Sequence, residues 1–151
     1  MLFHTHLLLG VALFLLASRF FPEMYSVISL LLVLFGSILP DIDEQHSKMN
    51  QWSGILGRII AFLFKHRGFF HSLLFLGILA GLLWYAGFGL YGLALSVGFF
   101  AHLMGDSLTP LGIRPFYPFS LKVFRGPIRV GGVVEMMMML GLIVIIMVWL
   151  W

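Results

Sequence analysis

Apolar runs near the length needed to cross about 30 Å of hydrocarbon, at about 1.5 Å per helical residue, recur along the chain. There are five, at roughly 5–21, 24–39, 69–86, 88–104 and 133–151, and each predicts a helix. Arg19, Pro22 and Glu23 divide the first two, and Pro40 with the acidic "DID" ends the second, since the residue before a proline resists helix. From Gly68 to Gly105 there is no Asp, Glu, Lys or Arg, and "WYAGFGLYG" in the middle supplies turn glycines, so this stretch predicts a helical hairpin. The substantial polar segments are 41–68 and 105–132. In the first, "WSGILGRIIAFLFKH" sets Arg58 and Lys65 among apolar residues, as in a short helix lying in the membrane interface. The second is rich in proline and glycine and predicts irregular or hairpin-like chain. The opening "MLFHTHLLLGVALFLLAS" is expected to stay as a membrane helix rather than leave as a secretory signal. No Lys or Arg precedes its apolar core, and "FLLASRFF" is a poor cleavage site.

Composition agrees with this pattern. Of 151 residues, 61% are apolar and 10% charged, against about 25% charged in a soluble domain, and the mean hydropathy is +1.06. The expected architecture is all-α: an integral membrane bundle of about five transmembrane helices with an interfacial helix, in one domain over 1–151. Cysteine is absent, which excludes disulfides and thiolate metal sites, so a metal would be held by histidine and carboxylate. Five crossings would bring every polar cluster to the face on which the chain starts. Eight of the nine Lys and Arg residues fall on that face and Arg19 alone on the other, so the positive-inside rule makes it cytoplasmic. Trp84, Tyr85, Tyr91, Trp149 and Trp151 form an aromatic belt on the far side. Membrane lipids are the expected partners, and no nucleic acid is.

The chemistry-bearing residues sit at the helix ends on the shared face. His102 and Asp106 in "HLMGD" stand four apart and project from one helix face, a ligand spacing that a simple His–Asp hydrogen bond would share. In "LPDID", Asp41 and Asp43 follow a proline, where extended chain would point both carboxylates the same way. His66 and His71 flank the start of the third apolar run. With His6 and Glu135 these come from separate segments to one face, and convergence rather than any one motif implies a metal site. Imidazole and carboxylate without thiolate suit zinc, with manganese or iron as alternatives, and eight candidate ligands imply two or three ions. Cations flanked by Arg67, Arg125 and Arg129 would attract phosphate. Arg125 and Arg129 read more simply as topology determinants or contacts to anionic lipid, and His4, His46 and Lys48 as solvated loop residues. No Gly-rich phosphate loop, GxSxG elbow or HExxH motif is present.

Taken in order, "TH" near the start, "LPDID" followed by Ser47, "HRGFFHS", "HLMGDSLTPLGI" with "FYP" behind it, and a late Glu135 resemble the YdjM-like family of membrane-bound metal-dependent hydrolases. That family is similar, at a distance, to the helical zinc-dependent phospholipase C and P1 nuclease group, which cleaves phosphoesters with clustered zinc ions. The resemblance implies His6, Asp41, Asp43, His66, His71, His102 and Asp106 as the metal set, with Arg67 and Thr109 beside it; Glu135 matches less closely. Phe70 departs from the pattern, standing where a small or hydroxyl residue is expected.

The reading that follows is a membrane-bound metal-dependent hydrolase acting on phosphoesters of phospholipids or other membrane-linked substrates. The rivals are a metal-ion carrier and a non-enzymatic membrane adaptor with a structural metal. A carrier would place ligands near the bilayer midplane, whereas here they gather at helix ends.

Overall fold

Each of the five apolar runs folds as a helix in the computed structural model, which describes residues 1–64 and 66–151. Lys65, counted above among the cations of the shared face, lies outside the described residues. Among the described residues the chain is all-α, with seven helices: α1 (Phe3–Phe20), α2 (Val27–Gly36), α3 (Lys48–Trp52), α4 (Gly54–Leu63), α5 (Leu73–Tyr85), α6 (Gly89–Ser107) and α7 (Val133–Leu150). Short 3₁₀ turns at Pro22–Met24, Leu39–Asp43 and Phe69–His71 join them. Serine hydroxyls start three of the helices by accepting an otherwise unpaired backbone N–H: Ser26 from Ser29, Ser47 from Asn50 and Ser72 from Phe75.

Two helices, α1 and α7, are long and apolar enough to cross a membrane by length and composition. The other three fall short of that measure. Helices α2 and α5 have 10 and 13 residues, and α6, with 19, carries His102 and Asp106. The chain leaves α2 for the 3₁₀ turn at Pro40 and does not begin α5 until Leu73, so stretches expected as helix become the turns that hold Asp41, Asp43 and His71. The interfacial helix expected over 52–66 is observed as α4, Gly54–Leu63, and a separate short helix, α3, precedes it, with Ser53 between them and Gly54 in the left-handed region (φ +58°). The chain between α6 and α7 is irregular, as its prolines predict, and pairs with itself at one antiparallel bridge between Ile113 and Phe124.

Helix α6 is central and packs against α1, α2 and α5, while α7 lies along α1. A side chain on Gly98 would run into the Val33 carbonyl and one on Gly36 into the Leu95 carbonyl, so α2 and α6 meet backbone to backbone. Within lipid, where burial of apolar surface gives little driving force, such close approach of small residues is what holds helices together. Phe14, Leu15, Met24, Val33 and Ala94 fill the core toward one end of the bundle. At that end the Arg19 guanidinium lies 5.6 Å from the Trp149 ring, which brings the last turns of α1 and α7 together. The opposite end holds the polar cluster.

Candidate metal centre

The α2–α6 contact fixes the first ligand. It brings the Ser37 carbonyl to 2.8 Å from His102 Nδ1. A carbonyl only accepts, so Nδ1 carries the hydrogen and Nε2 presents its lone pair inward, the arrangement in which imidazole binds metal. His102 is fully buried, as is His71, whose Nε2 lies 3.2 Å away. The His6 ring stacks on His102 at 4.0 Å between centroids.

The 3₁₀ turn at Leu39–Asp43 delivers the two aspartates differently from the extended chain expected. At about three residues per turn, positions two apart point in different directions rather than the same one. Asp41 therefore faces His102 and His71, with Oδ1 at 3.6 and 3.7 Å from their Nε2 atoms. Asp43 faces His66 at 2.8 Å and His71 Nδ1 at 3.3 Å. Asn50 holds the turn in place, donating to the carbonyls of Ile42 and Gly57, both at 2.6 Å, and Ser47 donates to the Asp41 carbonyl at 2.5 Å.

Asp106 lies at the junction of three segments. Its Oδ1 accepts from the Met1 amine at 2.6 Å and lies 3.4 Å from His6 Nε2, while Oδ2 meets Arg67 Nη2 at 2.8 Å. Arg67 is a non-glycine residue in the left-handed region (φ +58°), a conformation that costs about 1–2 kcal/mol. Its side chain offsets that cost: Nη1 donates to Thr109 Oγ1 at 2.9 Å and to the Gly112 carbonyl at 2.8 Å. Thr109 in turn donates to the Asp106 carbonyl at 2.8 Å. Among the described residues, the buried Arg67 Nε has no hydrogen-bond partner, nor does His6 Nδ1.

The electrostatics of the turns follow from this geometry. Burial works against ionisation of Asp41, but the imidazoles of His102, His71 and His6 outweigh it and hold its carboxyl well below the ordinary range. Asp43 is lowered in the same way, burial being outweighed by hydrogen bonds from His66 and His71. Burial alone would keep His71 neutral, yet Asp41 and Asp43 beside it raise its pKa to about 9. In the metal-free protein His71 is thus an imidazolium that donates toward His102 Nε2.

Three groups of donors among the described residues can hold a metal ion: His6, Asp41 and His102; Asp43, His66 and His71; and His71, His102 and Asp106. Within each group the donor atoms lie within 4.8 Å of one another. Seven of the eight expected ligands are therefore brought together. Glu135 is the exception. It is buried, but its oxygens accept the backbone N–H of Leu2 at 2.7 Å and of Gly131 at 2.6 Å, tying the start of α1 to the start of α7. His4, His46 and Lys48 are exposed, as expected, but His4 lies in the first turn of α1 and Lys48 opens α3 rather than lying in loops. Sequence reasoning missed the Met1 amine, Asn50 and the Ser37 carbonyl. Only the buried asparagine ahead of Gly57 offered any signal, and main-chain groups offered none.

The fold and this cluster define an all-α membrane protein with buried His/Asp groups that can bind metal. The whole chain, residues 1–151, matches the YdjM inner membrane protein family and belongs to it. Among relatives, "Uncharacterized protein YvsG" of Bacillus subtilis (strain 168) is 32% identical over 110 residues, covering 71% of this chain and 68% of that one. "Inner membrane protein YdjM" of Escherichia coli (strain K12) is 36% identical over 103 residues, covering 62% of this chain and half of the relative. No solved structure matches the chain significantly.

Proposed function

We propose that the chain is a metal-dependent hydrolase of the inner membrane that cleaves phosphoesters of phospholipids or other membrane-linked substrates, with its helical bundle crossing five times and the cluster on the cytoplasmic face. The observation that carries the reading is the convergence of seven His and Asp ligands beneath an open cleft. That cleft, about 400 Å³, reaches Asp41, His66, Arg67 and Asp106 from outside. A metal held only for structure is closed by protein ligands, whereas a catalytic one keeps a position open.

Donor chemistry fits zinc, with manganese or iron as alternatives. His102 has a single unprotonated nitrogen, claimed by two of the three groups, so two ions rather than three are the proposed complement. Bound there, such ions would lower the pKa of water toward about 7 and polarise a phosphoryl oxygen. The chain's own residues do the rest. Ser37 and Asp43 orient the imidazoles of His102 and His71. Arg67 holds Asp106 in place through one Nη2 hydrogen, and the other would be offered to a phosphate oxygen. Thr109 keeps the guanidinium in that pose.

The test is turnover of a phosphoester panel by purified protein of measured metal content: phosphatidic acid, phosphatidylglycerophosphate and an aryl phosphate ester. Cleavage of at least one, lost with the metal in His71→Ala, is the expected result. Metal-replete protein that cleaves none of them would leave a structural metal site in a membrane adaptor as the better account.

A further inference from the structure

Residues 108–132 carry four cations, Arg114, Lys122, Arg125 and Arg129, and no acid. That is more positive charge than the formal net of +3 for the whole chain. Among the described residues Arg67 is the one Lys or Arg side chain paired with a carboxylate, so these four have no internal counter-charge. The same segment exposes large apolar side chains: Phe119 is 84% exposed, Leu121 68% and Phe116 50%. Lys122 lies over the Phe124 ring at 5.5 Å. Segments that determine topology need charge alone. Cations interleaved with exposed aromatics are the pairing of surfaces that sit in the headgroup layer, with rings toward the acyl chains and charges toward phosphates.

The position of the segment agrees. It leaves α6 at Ser107 and enters α7 at Val133, a helix long and apolar enough to cross the membrane, so it lies where headgroups begin. Backbone bonds from Gly126 to the Thr109 carbonyl (3.1 Å) and from Ile128 to the Leu108 carbonyl (2.9 Å) hold it against the end of α6. Its inner side, with Arg114, Ile113 and Val123, walls a pocket of about 190 Å³ whose other wall is His66 and Arg67. Each wall carries a cation, Arg114 without a carboxylate partner among the described residues and Arg67 paired with Asp106, the rest of the lining apart from His66 is apolar, and His66 joins the pocket to the Asp43 group.

We propose that residues 108–132 form a binding surface for anionic phospholipid. Phe116, Phe119 and Leu121 enter the acyl boundary, Lys122, Arg125 and Arg129 hold headgroup phosphates, and Arg114 draws one anionic headgroup into the pocket beside His66. Only the further step, that this lipid is the substrate class, rests on the hydrolase reading; the surface itself does not.

The chain has no cysteine, so Phe119→Cys supplies a single thiol for an environment-sensitive NBD label at an exposed position. The labelled protein is reconstituted into nanodiscs of phosphatidylcholine alone or with increasing phosphatidylglycerol. Emission is expected to brighten and shift to the blue as phosphatidylglycerol rises, and to revert in high salt. Each of Arg114→Gln, Lys122→Gln and Arg125→Gln should weaken the response roughly fivefold, the contribution of one cation near an anionic surface. Emission typical of water in both compositions would overturn the proposal. Equal brightening in both would overturn its anionic selectivity. The readout uses neither metal nor turnover: a docked probe on a protein that cleaves nothing leaves this surface standing, while an undocked probe on an active enzyme removes this inference alone.

Discussion

At the scale of single residues, the site is governed by which nitrogen of each imidazole carries a proton. His71 has a metal-free pKa of about 9, so a metal ion must displace a proton from it at any lower pH. Metal affinity should therefore rise with pH by up to about tenfold per unit below pH 9 and level off above it, as metal titration across a pH series would read. The sign for stability is opposite. Because the folded pKa lies above the ordinary 6.5, the imidazolium stabilises metal-free protein fully below about pH 6.5 and loses that contribution as pH rises through about 9. Chelated protein should melt lower at pH 9.5 than at pH 6, and an unchanged melting temperature would mean that His71 is not charged. Arg67 gives a second expectation. Arg67→Lys can keep an ion pair with Asp106 but not the fork that also reaches Thr109 and Gly112. It should retain metal and lose at least tenfold in turnover. Parent-like turnover would reduce Arg67 to a topology anchor. The ligand residue types were legible in the sequence because histidine and aspartate are scarce in so apolar a chain. The partners that orient them were not, since the Ser37 carbonyl and the Met1 amine are main-chain groups whose position depends on helix packing.

At the scale of elements, the hydrophobic pattern located α1, α2, α5, α6 and α7 but not their ends. Proline before Asp41 and the run before Leu73 favour tight 3₁₀ turns, and these, not helix ends, carry Asp41, Asp43 and His71. Extended chain at "DID" would have aimed both carboxylates one way; the observed turn sends them to different groups. Period alone could not reveal this, because the segment is too short to show one. The contact between α2 and α6 is equally invisible in composition, where Gly36 and Gly98 look like any helical glycines. Its consequence can be measured. Gly98→Val would push α6 off the Val33 carbonyl and carry His102 away from Ser37. Metal content and melting temperature should fall together, the loss amounting to about 1–3 kcal/mol from overpacking. Gly77→Ala, on a face of α5 with open space around it, should be neutral or stabilising by up to about 1 kcal/mol. Equal behaviour of the two variants would remove the close helix contact from the account.

For the whole molecule, the central question is whether one membrane face collects all the chemistry. Helix order made the gathering of polar residues at one end of the bundle legible from sequence, and the structure brings seven of the eight expected ligands together there; that this end is one membrane face belongs to the proposal. The finer topology follows as an expectation: reporter fusions at residues 50 and 120 should report the cytoplasm, and those at 87 and 151 the opposite side. Agreement between 50 and 87 would break the shared face. What sequence could not reach was the division of the cluster, since two groups compete for the one available nitrogen of His102, and the group of Asp43, His66 and His71 shares His71 with one of them. Anomalous diffraction from crystals of protein purified with zinc, recorded on both sides of the zinc edge, tests that claim most directly. Two peaks are predicted: one between Asp43, His66 and His71, the other at His102 Nε2 with either His6 and Asp41 or His71 and Asp106. Folded, zinc-supplemented protein with the same side-chain arrangement and no anomalous density among these residues would contradict the metal centre.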